Sequence, residues 1–273
     1  MQTPSIRNPA VAGRFYAAKP EVLRHQLDGY LQASPSSHAE MVRGCMVPHA
    51  GYTYSGLVAG SVFGRLPARS SYIILCPNHT GRGAPLAIMS AGEWLTPLGS
   101  VPIDSALATS LRRSCHLLME DAKAHEDEHS IEVQLPFLQH QVGTFSFVPI
   151  AIGVSRYAAL DALGHGLAQA IREAPEPVLL ISSSDMNHYE SVEVTRAKDR
   201  KAIDQILALD PAGLYDVVQR EQISMCGYGP TVAMLTASKD LGATRAELVR
   251  YTTSAESSGD RNRVVGYAGI LVH

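Results

Sequence analysis

The chain has 273 residues, with 23 Lys and Arg against 26 Asp and Glu, a formal charge of −3. At 45 % hydrophobic and 18 % charged residues it has the make-up of a folded globular protein, which excludes disorder as its main theme. This balance gives no electrostatic grip on nucleic acid or on an anionic membrane, so a small polar molecule is the easier ligand.

No segment approaches the roughly 18 consecutive apolar residues of a membrane span. The opening stretch MQTPSIRNPAVAGRFY lacks the apolar run of a signal peptide, and the expected location is the cytoplasm. Cys45, Cys76, Cys115 and Cys226 are widely spaced and form no CxxC pair, so thiols rather than disulfides are expected. There is no internal repeat, low-complexity tract or long linker, and the serine-rich residues 34–37 read as a short loop.

In chain order, Leu23, Leu27 and Leu31 recur at helical spacing after Pro20, which suits a helix N-terminus. Residues 44–47, 72–76, 145–152, 178–182 and 264–272 are apolar, β-branched runs that read as buried strands. Between them, Leu160, Leu163, Leu167 and Ile171 form a helical stripe. Ile203, Ile206 and Leu207 form another, and Val232, Leu235 and Leu241 a third. Strands that are apolar throughout and alternate with helices predict an α/β fold, a three-layer α/β/α sandwich around a largely parallel or mixed sheet.

The position of the histidines is the first sign of chemistry. Strand 44–47 runs into Pro48-His49, strand 72–76 into Pro77-Asn78-His79, and strand 178–182 into Asp185-Met186-Asn187-His188-Tyr189. Ligands of open α/β sheets bind beyond the carboxyl ends of the strands, so parallel neighbours would bring His49, His79 and His188 to one crevice. A lone loop histidine is most often held by a local hydrogen bond. Three at one topological position point to metal binding or proton transfer. Cys226, in the loop Met225-Cys226-Gly227-Tyr228-Gly229-Pro230, precedes the helix around Val232. A helix N-terminus lowers a thiol pKa and burial raises it, and spacing alone favours a buried cysteine.

Residues 125–129, His125-Glu126-Asp127-Glu128-His129, spell HExxH. That motif binds zinc only on a helix, where both histidines share a face. Here Asp and Glu intervene, Pro136 follows closely and the preceding MEDAKA offers no apolar stripe. The better reading is an acidic loop leading into a helix over 130–138, with Ser130 as N-cap and His129 and Glu132 facing the crevice. The di-iron spelling Glu126-x-x-His129 has no second copy and is set aside.

These residues carry a resemblance. RNPAVAGRFY (7–16), PHAGYTYSG (48–56), PNHTG (77–81), LTPLG (95–99), EDEHSIEVQLPF (126–137), SSDMNHY (183–189), CGYGP (226–230) and VVGYAG (264–269) follow in order over nearly the whole chain. Together they resemble the Memo family, whose prokaryotic members are called AmmeMemoRadiSam system protein B. The resemblance implies a single Memo-like domain over 1–273 with a LigB-like fold related to the class III extradiol dioxygenases. Those enzymes hold Fe(II) with two histidines and a carboxylate and open catechol rings with O2.

Carried over residue by residue, the resemblance implies His49, His79 and Cys226 as metal ligands, with Cys226 at the place of the carboxylate. It implies His188 as the acid–base group, with Asp185 beside it hydrogen-bonding a ligand or binding metal. A thiolate softens the site towards Cu(I), Zn or thiolate-bound iron and is itself oxidisable. The expected function is therefore a metal-binding, redox-active enzyme acting on a small molecule, with Fe(II) first and Cu or Zn as alternatives. His129, Tyr54 and Tyr189 would contact substrate or support the site, with Tyr52 as a further wall candidate. The alternative is a non-catalytic binding or signalling module for a phosphopeptide or protein partner, although no Arg cluster marks such a site. The family name implies radical SAM and AMMECR-type protein partners. A zinc metalloprotease using His125 and His129 is a poor third.

Overall fold

The computed structural model describes residues 5–31 and 42–273, so the loop expected at 34–37 lies outside the described residues. The first elements are β1 (Ile6–Arg7), α1 (Pro20–Tyr30), β2 (Gly44–Val47), α2 (Tyr52–Phe63), β3 (Ser71–Pro77), β4 (Leu86–Ile88), β5 (Glu93–Thr96), β6 (Gly99–Pro102), α3 (Ser105–Ser114) and β7 (Met119–Glu120). There follow α4 (Leu135–Val142), β8 (Ser146–Ile152), α5 (Tyr157–Glu173), β9 (Val178–Ser183), β10 (His188–Glu190), α6 (Val192–Leu207), α7 (Pro211–Arg220), α8 (Tyr228–Asp240), β11 (Ala246–Thr253), α9 (Ala255–Ser258) and β12 (Val264–Val272).

The main sheet runs β10-β12-β2-β9-β3-β8-β4-β7, with β11 paired to β12. Its centre, β2-β9-β3-β8, is parallel, while β12 lies antiparallel to β2 and β4 antiparallel to β8. The sheet is thus mixed around a parallel heart. Alternation along β3 explains the layering. Ile73 and Leu75 face a core with α3, α5 and α8, which supply Leu111, Leu160, Leu163 and Val232. Tyr72, Ile74 and Cys76 face the other core with α1, α2 and α4, which supply Leu23, Leu27, Phe63 and Phe137. This is the expected α/β/α sandwich, and among the described residues no helix is long and apolar enough to cross a membrane.

One expected element differs. Residues 130–138 are not one helix: Glu132–Gln134 form a 3-10 turn and α4 begins at Leu135, with Pro136 in its first turn. Proline has no N–H and a fixed φ, so it suits a first turn and there sets where the α-helix begins. Ser130 is consequently no N-cap; its hydroxyl donates to Glu128 instead.

Candidate metal centre

The register of the parallel strands builds the site. Val47 of β2 lies opposite Ser183 of β9, so two residues further His49 and Asp185 emerge side by side. The His49 N–H donates to Asp185 Oδ1 at 2.8 Å. Next door, β3 ends at Pro77 and delivers His79. The loop before α8 delivers Cys226, and its Gly227 is required: a Cβ there would lie 2.4 Å from the Ser183 carbonyl oxygen. These groups line an open pocket of about 600 Å³ together with Phe15, Ala50, Gly51, His129, His188, Tyr189, Ser224, Val265 and Tyr267.

Within it, His49, His79 and His129 each present a ring nitrogen, all within 4.8 Å of one another. Their hydrogen bonds fix two tautomers. Ser183 Oγ donates to the Ser130 carbonyl at 2.7 Å and accepts from Gln134 at 2.9 Å, so it accepts Nδ1–H of His49 at 2.9 Å. His79 Nδ1 lies 3.0 Å from Glu128 Oε1 and therefore carries the proton. In both rings Nε2 keeps its lone pair, the form a metal ligand needs. The carboxylate behind His79 is the usual orienting partner of a ligating imidazole.

Electrostatics follow from these contacts. Burial pushes His49 well below the ordinary histidine range, and the neighbouring His129 and His79 add to this, so it is neutral. Burial also lowers His79, but the hydrogen bond and charge of Glu128 outweigh it and the net shift is upward. Burial opposes ionisation of Glu128. The His79 hydrogen bond and charge, with the Ser130 hydroxyl, win and hold it down to about 2. Burial lowers His129 against the pull of Glu128. Asp185 is pushed up to about 7 by burial, only partly offset by the His49 N–H.

His129, expected as a supporting residue, thus stands with His49 and His79. Cys226 places its sulfur 3.2 Å from His49 Nε2, at the edge of the cluster. Burial raises its thiol well above the ordinary range, so the preceding-helix effect does not dominate. His188 donates Nδ1–H to the Ser224 carbonyl at 2.8 Å, which leaves its Nε2 as an acceptor. Burial lowers its pKa, with the Ser224 carbonyl pulling the other way. Tyr189 holds φ +62, a left-handed conformation rare for a tyrosine, and stands 65 % exposed at the mouth beside His188. Tyr54 is not a wall: it is 44 % exposed on α2 and outside the pocket lining. Tyr52 is buried in the core, its hydroxyl donating to the Val133 carbonyl.

The acidic loop has a different use from the one its spelling suggests. Residues 125–129 form no helix, and the His125 ring is fully buried against Trp94 at 5.7 Å between centroids. Burial lowers its pKa to about 4. Glu128, not singled out by spacing, supports the cluster from this loop: it accepts from His79 N at 2.6 Å and from Ser130 N at 3.0 Å besides the imidazole. Glu132, expected in the crevice, points away from it. It accepts from Arg7 at 2.5 Å, from the N–H groups of Ala10 and Val11, and from the Tyr16 hydroxyl. This ties residues 7–16 across the protein and sets Phe15 edge-on to His129 at 4.9 Å.

The model of the Memo-like protein family matches residues 7–271. A MEMO1 family protein of Methanopyrus kandleri is 43 % identical, over 97 % of this chain and 98 % of its own. One of Methanothermobacter thermautotrophicus is 41 % identical over 96 % of this chain and 99 % of its own. Among solved structures, an uncharacterized Escherichia coli K12 protein shares the fold. It has a TM-score of 0.56 and 14 % identity over 84 % of this chain and 99 % of its own. The match runs through every loop that builds the histidine pocket, and the chain belongs to the Memo-like protein family.

Proposed function

We propose that this protein is a metal-dependent, redox-active enzyme that binds a small molecule in the histidine pocket. The observation that carries this reading is the convergence of His49, His79 and His129, with ring nitrogens within 4.8 Å of one another. The donor chemistry fits a transition metal. Imidazoles with a thiol at the edge suit Fe, Cu or Zn better than Mg or Ca, which prefer oxygen. His49 and His79 would hold the ion, with His129 as the third nitrogen and the Cys226 sulfur as its competitor. Fe(II) is the first candidate, by resemblance to the extradiol dioxygenases.

A bound iron or copper would supply a Lewis acid and a one-electron couple. The chain's own groups do the rest. Glu128 keeps the proton of His79 on Nδ1 and so keeps Nε2 available. His188 Nε2 accepts the proton of a substrate hydroxyl, a role suited to an imidazole whose pKa burial lowers. Asp185, titrating near 7, is a second site for that proton. Phe15, Val265 and Tyr267 form walls that limit water around the reacting atoms.

The test is elemental analysis of protein prepared anaerobically with iron, copper or zinc supplied, for the wild type, His79→Ala and Cys226→Ser. The expected result is about one equivalent in the wild type, lost in His79→Ala. Retention in Cys226→Ser assigns the third position to His129, and loss assigns it to Cys226. A folded wild type that takes up no metal overturns the reading and leaves a binding module.

A further inference from the structure

Asp199 on α6 is fully buried, outside the pocket, and forms no ion pair among the described residues. Burying a carboxyl without a cation is costly unless its hydrogen bonds are made. Both oxygens are used: Oδ1 accepts the Asn187 N–H at 2.8 Å, and Oδ2 accepts the hydroxyl of Tyr251, on β11, at 2.7 Å. Burial pushes this carboxyl up to about 7 against the two donors, and either protonation state keeps an oxygen for the Asn187 N–H. β12 makes room for it, because a Cβ on Gly266 would lie 1.8 Å from Oδ2.

The same glycine holds the loop from the other side. The Met186 N–H donates to the Gly266 carbonyl at 2.8 Å, and the Gly266 N–H donates to the Asn187 carbonyl at 2.9 Å. The Asn187 backbone is thus fixed at both its N–H and its carbonyl. Its side chain reaches forward: Oδ1 accepts from the Ser224 N–H and hydroxyl, and Ser224 in turn accepts the backbone N–H and the ring proton of His188. The next residue, Tyr189, holds φ +62. A left-handed residue other than glycine persists where its surroundings over-determine it. Here Asn187 stands on one side, and on the other Glu190 accepts from Asn187 Nδ2 at 2.7 Å.

We propose that Asp199 is a positioning residue for His188. Its buried carboxyl, locked by Tyr251, sets the Asn187 backbone, and through it the Ser224 cradle that keeps the His188 proton on Nδ1 and Nε2 free for the pocket. The inference rests on the proposed function for what His188 does to a ligand, but the positioning itself needs no metal.

The experiment is NMR of the full chain, labelled with 15N at histidine and supplied with diamagnetic Zn(II). It compares the wild type, Asp199→Ala, Asp199→Asn and Tyr251→Phe, with His188→Gln to assign the His188 signals. The wild type should carry Nδ1–H at His188. In Asp199→Ala the ratio of the Nδ1–H to the Nε2–H form should fall roughly three- to tenfold, the worth of one neutral hydrogen bond. Tyr251→Phe should give the same change in smaller measure. Asp199→Asn keeps an oxygen for the Asn187 N–H and should restore the wild-type ratio. His79, held by Glu128, should keep Nδ1–H throughout, whereas general loosening would move both rings. A wild type without Nδ1–H at His188, an unchanged His188 ratio in Asp199→Ala, no rescue by Asp199→Asn, or an equal change at His79 overturns the proposal. If Asp199→Ala does not fold, Tyr251→Phe decides on the same criterion. Bound zinc is counted by elemental analysis: none in the folded wild type sinks the metal reading and leaves the His188 result standing.

Discussion

The two halves of the pocket are braced by different chemistry. On the β2–β3 side the supports are charged: Glu128 behind His79, and Glu132 pairing with Arg7 beneath the segment that carries Phe15. On the β9–α8 side the groups that hold His188 itself are neutral. Asn187 Oδ1 accepts from the Ser224 N–H and hydroxyl, Ser224 Oγ accepts from the His188 N–H, and the Ser224 carbonyl takes the His188 ring proton. An anionic support makes an imidazole more basic and a better ligand. A carbonyl support fixes the tautomer without adding a charge, so His188 stays neutral and ready to accept a proton. Under the proposed function, the contrast separates a side suited to holding a cation from a side suited to moving a proton.

The strongest way to break this contrast is to remove a buried charge. Arg7 and Glu132 are 5 % and 0 % exposed at the side chain. Glu132→Ala leaves the guanidinium uncompensated and should cost about 3–5 kcal/mol, read by urea unfolding. A loss below 1 kcal/mol would mean that water replaces the carboxylate. Glu132→Gln keeps the shape and should lose less.

Glu128 sharpens the contrast through pH. Its carboxyl titrates at about 2 in the folded chain against an ordinary 4.5. Its contribution to stability is therefore complete above pH 4.5 and is lost as the pH falls towards 2. At full strength it is roughly 3 kcal/mol. Glu128→Gln should flatten this part of the profile and weaken metal affinity by roughly 10–100-fold. A profile between pH 2 and 5 as steep as that of the wild type would remove Glu128 from the account.

The neutral side predicts a different pattern. Asn187→Ala unties the loops carrying His188 and Cys226 and should cost about 1–2 kcal/mol. Metal affinity should hold, while the 15N shifts of His188 report a mixture of tautomers instead of Nδ1–H alone. A loss of metal as large as that of Glu128→Gln would show that the two sides do not act separately.

Much of the cation-holding side can be read from sequence because local signals coincide there. Two apolar runs, 44–47 and 72–76, end at a Pro-His or Pro-Asn-His turn, and their parallel pairing with β9 places those turns at one edge. What lies behind the histidines is not local. Arg7 and Glu132 are 125 positions apart, and nothing in either neighbourhood announces the pair. In the string 125–129 the choice between His125 and His129 depends on Trp94 and Arg7, which bury the first and leave the second facing the pocket. Tyr267 reads as one apolar residue in an apolar strand, and only the fold shows that it lines the pocket. The serine-rich α3 and the half-buried β11, with Glu247 and Arg250 along it, carry periodicities too weak to stand out.

The smallest expected effect concerns the thiols. Cys45, Cys76 and Cys115 are buried, while Cys226 is partly exposed at the pocket. Burial raises the pKa of every one of them, so exposure, not thiolate fraction, sets the order of reaction. Cys226 should be alkylated first in the native protein, as read by mass-spectrometric mapping. Faster labelling of Cys45 or Cys76 would count against the pocket as drawn. A bound metal gives the comparison its edge: protection of Cys226 by Zn(II) in the wild type but not in His49→Ala would tie the sulfur to the cation-holding side. Unchanged labelling would leave it with His188 on the other.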